Sequence, residues 1–145
     1  MPNEVPTLEP LAAFDVWEDG TAQDAADFGA APAAGAAYRW LHLDLSDPAL
    51  PAWSAVNLPP QARRTLLADK TRPRMDTDGD GLAITLRGIN LNPGEENADM
   101  VSLRIWMTPT LIVTVRRQRI FAMDDLRDRV AQDDAPHSPA HMLAR

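Results

Sequence analysis

The chain has no cysteine, so it can build neither a disulfide framework nor a thiolate metal site, and a zinc-finger reading is excluded. It has no run of 18 or more apolar residues. The longest such runs, around residues 82–86 and 111–115, are far too short to cross a bilayer as helices. The N-terminus lacks the basic and then apolar layout of a secretory signal, being acidic and interrupted by prolines. Positive charge is the minority sign: 14 Lys and Arg stand against 21 Asp and Glu, for a net charge of −7. That balance argues against a general nucleic-acid binder, which needs a basic surface to neutralise phosphates. Catalytic signatures are missing too. There is no Gly-x-Ser-x-Gly, no Gly-x-Gly-x-x-Gly and no Walker A loop, so an enzyme reading has no mechanism to stand on.

What is present is an ordinary globular composition, with 45% apolar and 24% charged residues in 145. One domain over residues 1–145 is expected, long enough to bury a real core. Residues 11–17 read as a short strand ending at Glu18-Asp19-Gly20. Residues 18–37 turn to Ala, Gly and Pro without apolar period and read as a loop or insert. Residues 38–45 (YRWLHLDL) alternate cleanly, with Trp40, His42 and Asp44 on one strand face and Leu41, Leu43 and Leu45 on the other.

Two helix starts follow, at Ser46-Asp47-Pro48 and at Pro59-Pro60. The first helix would bury Leu50, Trp53 and Val56, and the second, over 61–68, Ala62, Leu66 and Leu67. Residues 71–76 lead through an Asp/Gly turn into a strand over 81–91. The apolar parity of that strand changes at Gly88, where a bulge is expected. A strand over 100–107 should face Val101, Leu103, Ile105 and Met107 inward, with Ser102 and Arg104 outward. Residues 111–115 are apolar at nearly every position, as a strand covered on both faces would be. A helix over 121–132 carries Met123, Leu126 and Val130 on one stripe and an Asp125–Arg129 pair at i, i+4. Ser138-Pro139 opens another helix that the chain does not finish. The order predicts an α/β domain of α/β/α layers, with a mixed, largely antiparallel sheet covered by helices.

Three clusters hold candidate chemistry. Asp76, Asp78 and Asp80, with Gly81, match the first half of a calcium loop, but the twelfth position is Arg87, a cation where a bidentate Glu belongs. An Asp/Gly-rich hairpin turn is the reading preferred there, with a weak surface cation site as the alternative. His42 and Asp44, at i, i+2 on one strand face, could bind a metal or orient a base, although a partly buried strand histidine is the commoner outcome. His137 and His141 are spaced for zinc on a helix, but His137 precedes the cap Ser138. Arg116, Arg117 and Arg119 end the central strand and could contact an anion, a nucleotide or nearby carboxylates such as Asp124 and Asp125.

A set of ordered strings adds a family resemblance. YRWLHLDL at 38–45 is followed by Trp53, LPPQARR at 58–64, TRPR at 71–74 and GLAITLRGIN at 81–90. Asn92-Pro93-Gly94, MVSLRIW at 100–106, LIVTVRRQR at 111–119 and MDDL at 123–126 complete the series. Together these resemble the N-terminal cytoplasmic domain of the CorA/ZntB divalent metal ion transporters, with the ZntB zinc-transporter branch preferred. The resemblance implies a funnel domain of a homopentamer, placed before a stalk and two membrane helices with a Gly-x-Asn signature. It therefore implies a regulatory and assembly role at the cytoplasmic face of the cell membrane, and membrane contact only through a C-terminal part missing from this chain. No catalytic residue and no required cofactor are expected. A divalent cation, Zn2+ or Mg2+, is the ligand to expect, and the isolated chain should be a monomer or weak oligomer. The competing reading is a free-standing cytosolic domain that binds an anion or nucleotide through Arg116, Arg117 and Arg119.

Overall fold

A computed structural model describes residues 7–68, 73–89, 100–118, 120–136 and 138. Strand β1 (Ala12–Val16) turns at Gly20, whose φ of 89° suits a residue without Cβ, into the short edge strand β2 (Ala22–Asp24). The expected loop over 18–37 therefore contains a strand. Its three residues show no apolar alternation, so the strand exists through tertiary partners: pairing with β1, and a bond from the Ala22 amide to Asp133 Oδ1 at 2.9 Å. Next come β3 (Tyr38–Asp44), α1 (Leu50–Asn57) and α2 (Pro60–Leu66). Then follow β4 (Arg74–Asp78), β5 (Gly81–Ile89), β6 (Met100–Thr108), β7 (Leu111–Arg116) and α3 (Phe121–Ala131).

The seven strands form one sheet in the order β2-β1-β3-β7-β6-β5-β4. Every pair is antiparallel except the central β3–β7 pair, which is parallel. Because side chains alternate along a strand, each strand of the middle supplies two cores. On one face Leu41, Leu43, Val113, Val115 and Trp106 meet Leu50, Leu58, Ala62 and Leu66 of the α1–α2 layer. On the other, Phe14, Val16, Tyr38, Trp40, Ile105 and Ile112 meet Met123 and Val130 of α3. The mixed sheet and the α/β/α layering are as the sequence predicts.

Several local expectations are corrected. Val56 is 84% exposed, because α1 buries Leu50 and Ser54 instead. Helix α1 starts at an Ala49 N-cap without a side-chain cap bond, while Asp47 Oδ1 accepts the Ala49 amide at 2.9 Å. Arg104 is buried, since β6 is covered on both sides, and its Nε donates to the Ala68 carbonyl at the end of α2 at 2.8 Å. No bulge interrupts β5: the pairing runs from Leu82 opposite Met107 to Ile89 opposite Met100 with no residue inserted. Arg129 pairs with Asp134 at 3.0 Å rather than with Asp125. The helix expected from Ser138-Pro139 lies outside the described residues.

Candidate functional site

His42 and Asp44 stand where β3 meets β7 and the chain turns toward α1. His42 is buried on the α3 face, directly opposite Thr114 in the parallel pair, with its Nδ1 2.7 Å from Thr114 Oγ1. The Trp40 indole donates to that same hydroxyl at 3.1 Å. A hydroxyl can accept twice and donate once, so Thr114 Oγ1 holds the indole N–H and the imidazole Nδ1 together, as donor or acceptor to the ring according to its tautomer. Burial lowers the His42 pKa from 6.5 to about 4, and the Arg116 charge adds to the effect. The imidazole is thus neutral near pH 7, with Nδ1 already engaged.

Asp44 looks elsewhere. Its Oδ1 accepts from the Ser46 amide at 2.9 Å and the Ser46 hydroxyl at 2.7 Å, and its Oδ2 lies 3.2 Å from Arg116 Nη1. Burial pushes this carboxyl up, but the Ser46 hydrogen bonds and the Arg116 charge outweigh it and hold the pKa below its usual value. His42 and Asp44 therefore share a strand face but have different partners.

Asp76, Asp78 and Asp80 lie on the β4–β5 hairpin at the far edge of the sheet. Asp78 pairs with Gly81, which leaves a two-residue turn of Gly79 and Asp80 with Gly79 at φ 60°, the glycine-first geometry that suits a tight hairpin. Asp76 Oδ2 is 2.8 Å from Arg74 Nε on the same side of the strand. Arg87, at the twelfth position of the calcium-loop pattern, sits in β5. The sequence 76–87 is thus strand, turn and strand, not a loop wrapped around an ion. Among the described residues, no three or more His, Cys, Asp or Glu side chains come together as a set that could hold a metal.

Arg116 closes β7 against Asp44, a partner on the neighbouring strand. Arg117 is exposed, and Arg119, His137 and His141 lie outside the described residues. Beside Asp44 a shallow open cavity of about 480 Å³ is lined by Thr7, Glu9, Leu11, Ser46, Asp47 and Pro48. Its carboxylates have structural work, since Asp47 Oδ2 accepts the Glu9 amide at 2.9 Å and so ties the N-terminal segment to the start of α1.

The most elaborate polar cluster was not foreseen from sequence. Arg39 is 1% exposed. It donates through Nε and Nη2 to the two Asp15 oxygens at 2.8 and 3.0 Å, and through Nη1 to Asp27 Oδ1 at 2.7 Å and the Gly29 carbonyl at 3.0 Å. The Asp15 hydrogen bonds raise the Arg39 pKa against the opposing effect of burial. The signal was an Arg and an Asp at inward positions of two adjacent strands, which alternation alone marks as conflicts needing partners.

Comparison with known proteins decides what this scaffold belongs to. The sequence profile described as "CorA-like Mg2+ transporter protein" matches residues 35–145. The chain belongs to the CorA-like transporter family. Within that family its similarity falls on the ZntB branch. It is 35% identical over 106 residues to the zinc transport protein ZntB of Yersinia enterocolitica, covering 72% of this chain and 32% of the relative. The fold also overlays on the ZntB cytoplasmic domain from Vibrio parahaemolyticus with a TM-score of 0.76 at 25% identity. That overlay covers 94% of this chain and 55% of the other. The full-length CmaX protein overlays at 0.78 and 26% identity, over 99% of this chain and 45% of CmaX. The chain thus spans about a third of the length of the curated ZntB relative. Among the described residues, no helix is long and apolar enough to cross a membrane.

Proposed function

We propose that this chain is a cytoplasmic domain that regulates and helps assemble a CorA-like transporter of divalent cations. Zinc is the cargo in this reading, with magnesium or cobalt as the alternative. The observation that carries it is the joint match in sequence and fold to the ZntB branch. In the longer protein the domain works as one of several identical subunits, five in this reading, at the inner face of the cell membrane, and conduction belongs to other parts of the chain. The described residues fit such a role: two packed cores, central strands covered on both faces and polar clusters engaged internally make a rigid scaffold.

The cation is cargo, and any regulatory contact it makes on this domain is a separate proposal. Asp78 and Asp80, exposed on the hairpin turn, are the first residues to test for one. The deciding experiment is uptake by the full-length protein in liposomes, comparing zinc with magnesium. Zinc uptake well above empty liposomes is expected; no uptake of zinc, magnesium or cobalt would sink the reading. A parallel thermal unfolding series on this chain with millimolar zinc or magnesium tests the regulatory part. A raised midpoint that Asp78→Asn/Asp80→Asn abolishes would place the contact on the hairpin, and an unmoved midpoint would leave assembly as the domain's role.

A further inference from the structure

Residues 25–37 cross from β2 to β3 without forming a helix or a strand, and none of them is fully buried. Both ends are tied to one strand: the Ala25 amide donates to the Ala13 carbonyl of β1, and the Ala37 amide to the Val16 carbonyl. Between those ends, the one backbone–backbone bond among the described residues runs from the Ala36 amide to the Ala33 carbonyl. The rest of the hold comes from side chains of β3 and α1. Arg39 Nη1 donates to Asp27 Oδ1 and to the Gly29 carbonyl, and the Trp53 indole donates to the Phe28 carbonyl. Phe28 and Ala30 pack against the core cluster on the α1–α2 side of the sheet. Asp27 is the segment's sole charged residue and Phe28 its sole large apolar one, so the grip is gathered in residues 27–30.

We infer that residues 25–37 are a latched strap, which opens as a unit while the sheet stays folded, with the Asp27–Arg39 contact as its latch. The charge balance is what permits release. Asp15 takes Nε and Nη2 of Arg39 in a two-pronged pair whose side chains are 3% and 2% exposed, so Arg39 is neutralised without help from the strap. Asp27 is a third partner, 74% exposed. Its departure leaves no uncompensated charge in the interior, because its carboxylate already stands in water and Nη1 meets water where the strap lay. The Phe28 and Gly29 carbonyls pass to solvent in the same movement. Opening therefore gives up contacts of surface strength and little apolar burial, and segments held in that way open far below the free energy of global unfolding. What it uncovers is one edge of the Arg39 guanidinium beside the apolar seat that Phe28 leaves, a place for a carboxylate next to an aromatic ring. In the closed state the strap's own Asp27-Phe28 pair fills it. The inference goes beyond the transporter reading and does not rest on it.

Native-state proteolysis tests this, because cleavage inside a folded chain follows the population of the opened form. An elastase-type protease, which cuts after small residues, should cut the chain within residues 30–37, and the nicked product should keep its circular dichroism. The cutting rate should rise with urea much less steeply than global unfolding does, since that dependence scales with the surface exposed. Asp27→Ala should speed cutting by roughly three- to tenfold with the thermal midpoint nearly unchanged. Asp24→Ala removes an exposed carboxylate that Arg39 does not bind, and it should cut at the native rate. Between about 0.05 and 0.5 M salt the ratio of the Asp27→Ala rate to the native rate should shrink toward one, as screening weakens the native latch. Cutting with the urea dependence of global unfolding overturns the inference. So does an Asp27→Ala rate equal to the native one, or a ratio indifferent to salt. None of these results bears on the transporter reading, which stands or falls on cation uptake.

Discussion

Replacing Arg39 by methionine keeps most of the side-chain volume and removes the guanidinium, and the structure sets what that should cost. Asp15, with 3% of its side chain exposed, loses both of its donors on β3, the Gly29 carbonyl loses its Nη1 donor, and Asp27 keeps the Gly29 amide. A buried carboxylate stripped of its partner costs about 3–5 kcal/mol, a large part of the 5–15 kcal/mol by which a domain of this kind is stable. Urea unfolding followed through the four tryptophans measures it. With a slope near 2 kcal/mol/M, the midpoint should fall by roughly 1.5–2.5 M. Asp15→Leu/Arg39→Met makes the reasoning sharper. It removes both charges, so the penalty for an uncompensated carboxylate disappears, and the remaining loss should be about 1 kcal/mol for the orphaned Gly29 carbonyl. Asp27→Asn should matter far less than either, because that carboxylate is 74% exposed. If Arg39→Met costs less than about 1 kcal/mol, or the double variant is no more stable than the single, the cluster is not held as described.

His42 supplies a pH dependence. The unfolded chain takes up this proton near 6.5 and the folded chain only near 4, so the stabilisation is complete above about pH 7 and is lost as the pH falls from 6.5 toward 4. Between pH 7.5 and pH 5 the loss should be about 2 kcal/mol, and His42→Leu should remove that slope; an unaltered slope in the variant assigns it to other groups. Gly81→Ala probes a close approach, since a Cβ there would overlap the Trp106 ring. Moving that ring should cost about 1–3 kcal/mol and alter near-ultraviolet dichroism, whereas a variant matching the native chain on both counts would mean that Trp106 has room to spare.

Much of the architecture was legible because hydrophobic period states it directly. The alternation in 38–45 and the unbroken apolar run in 111–115 name two central strands, and Pro59-Pro60 names a helix start. What escaped depended on partners distant in sequence. Strand β2 has no pattern of its own and forms against β1 and Asp133. Arg104 read as outward because its strand alternates, yet α2 lies over that side and takes its Nε with a carbonyl. The parity change at Gly88 signalled a bulge, yet the pairing with β6 continues one residue for one through Ile89. The candidate residues were visible by type and their neighbours were not. Nothing in the sequence says that Thr114 would stand opposite His42 or that Asp44 would turn to Ser46 and Arg116.

The parallel β3–β7 pair has a consequence for the order in which the chain can become itself. On one side of it lies a local unit, β2-β1-β3, and on the other a second, β7-β6-β5-β4, each made of antiparallel neighbours close in sequence. Among the strand pairs, only the seam between them joins residues as far apart as His42 and Thr114. Closing so long a loop is the slow, entropically costly event in such a topology, and a ribosome must have released residue 116 before it can occur. The two halves are free to assemble early, but the first cannot bury the inward faces of β3 until the last strand arrives. The hydrogen bonds of the seam should therefore be among the last to form and, lying at the centre of both cores, among the slowest to exchange with solvent.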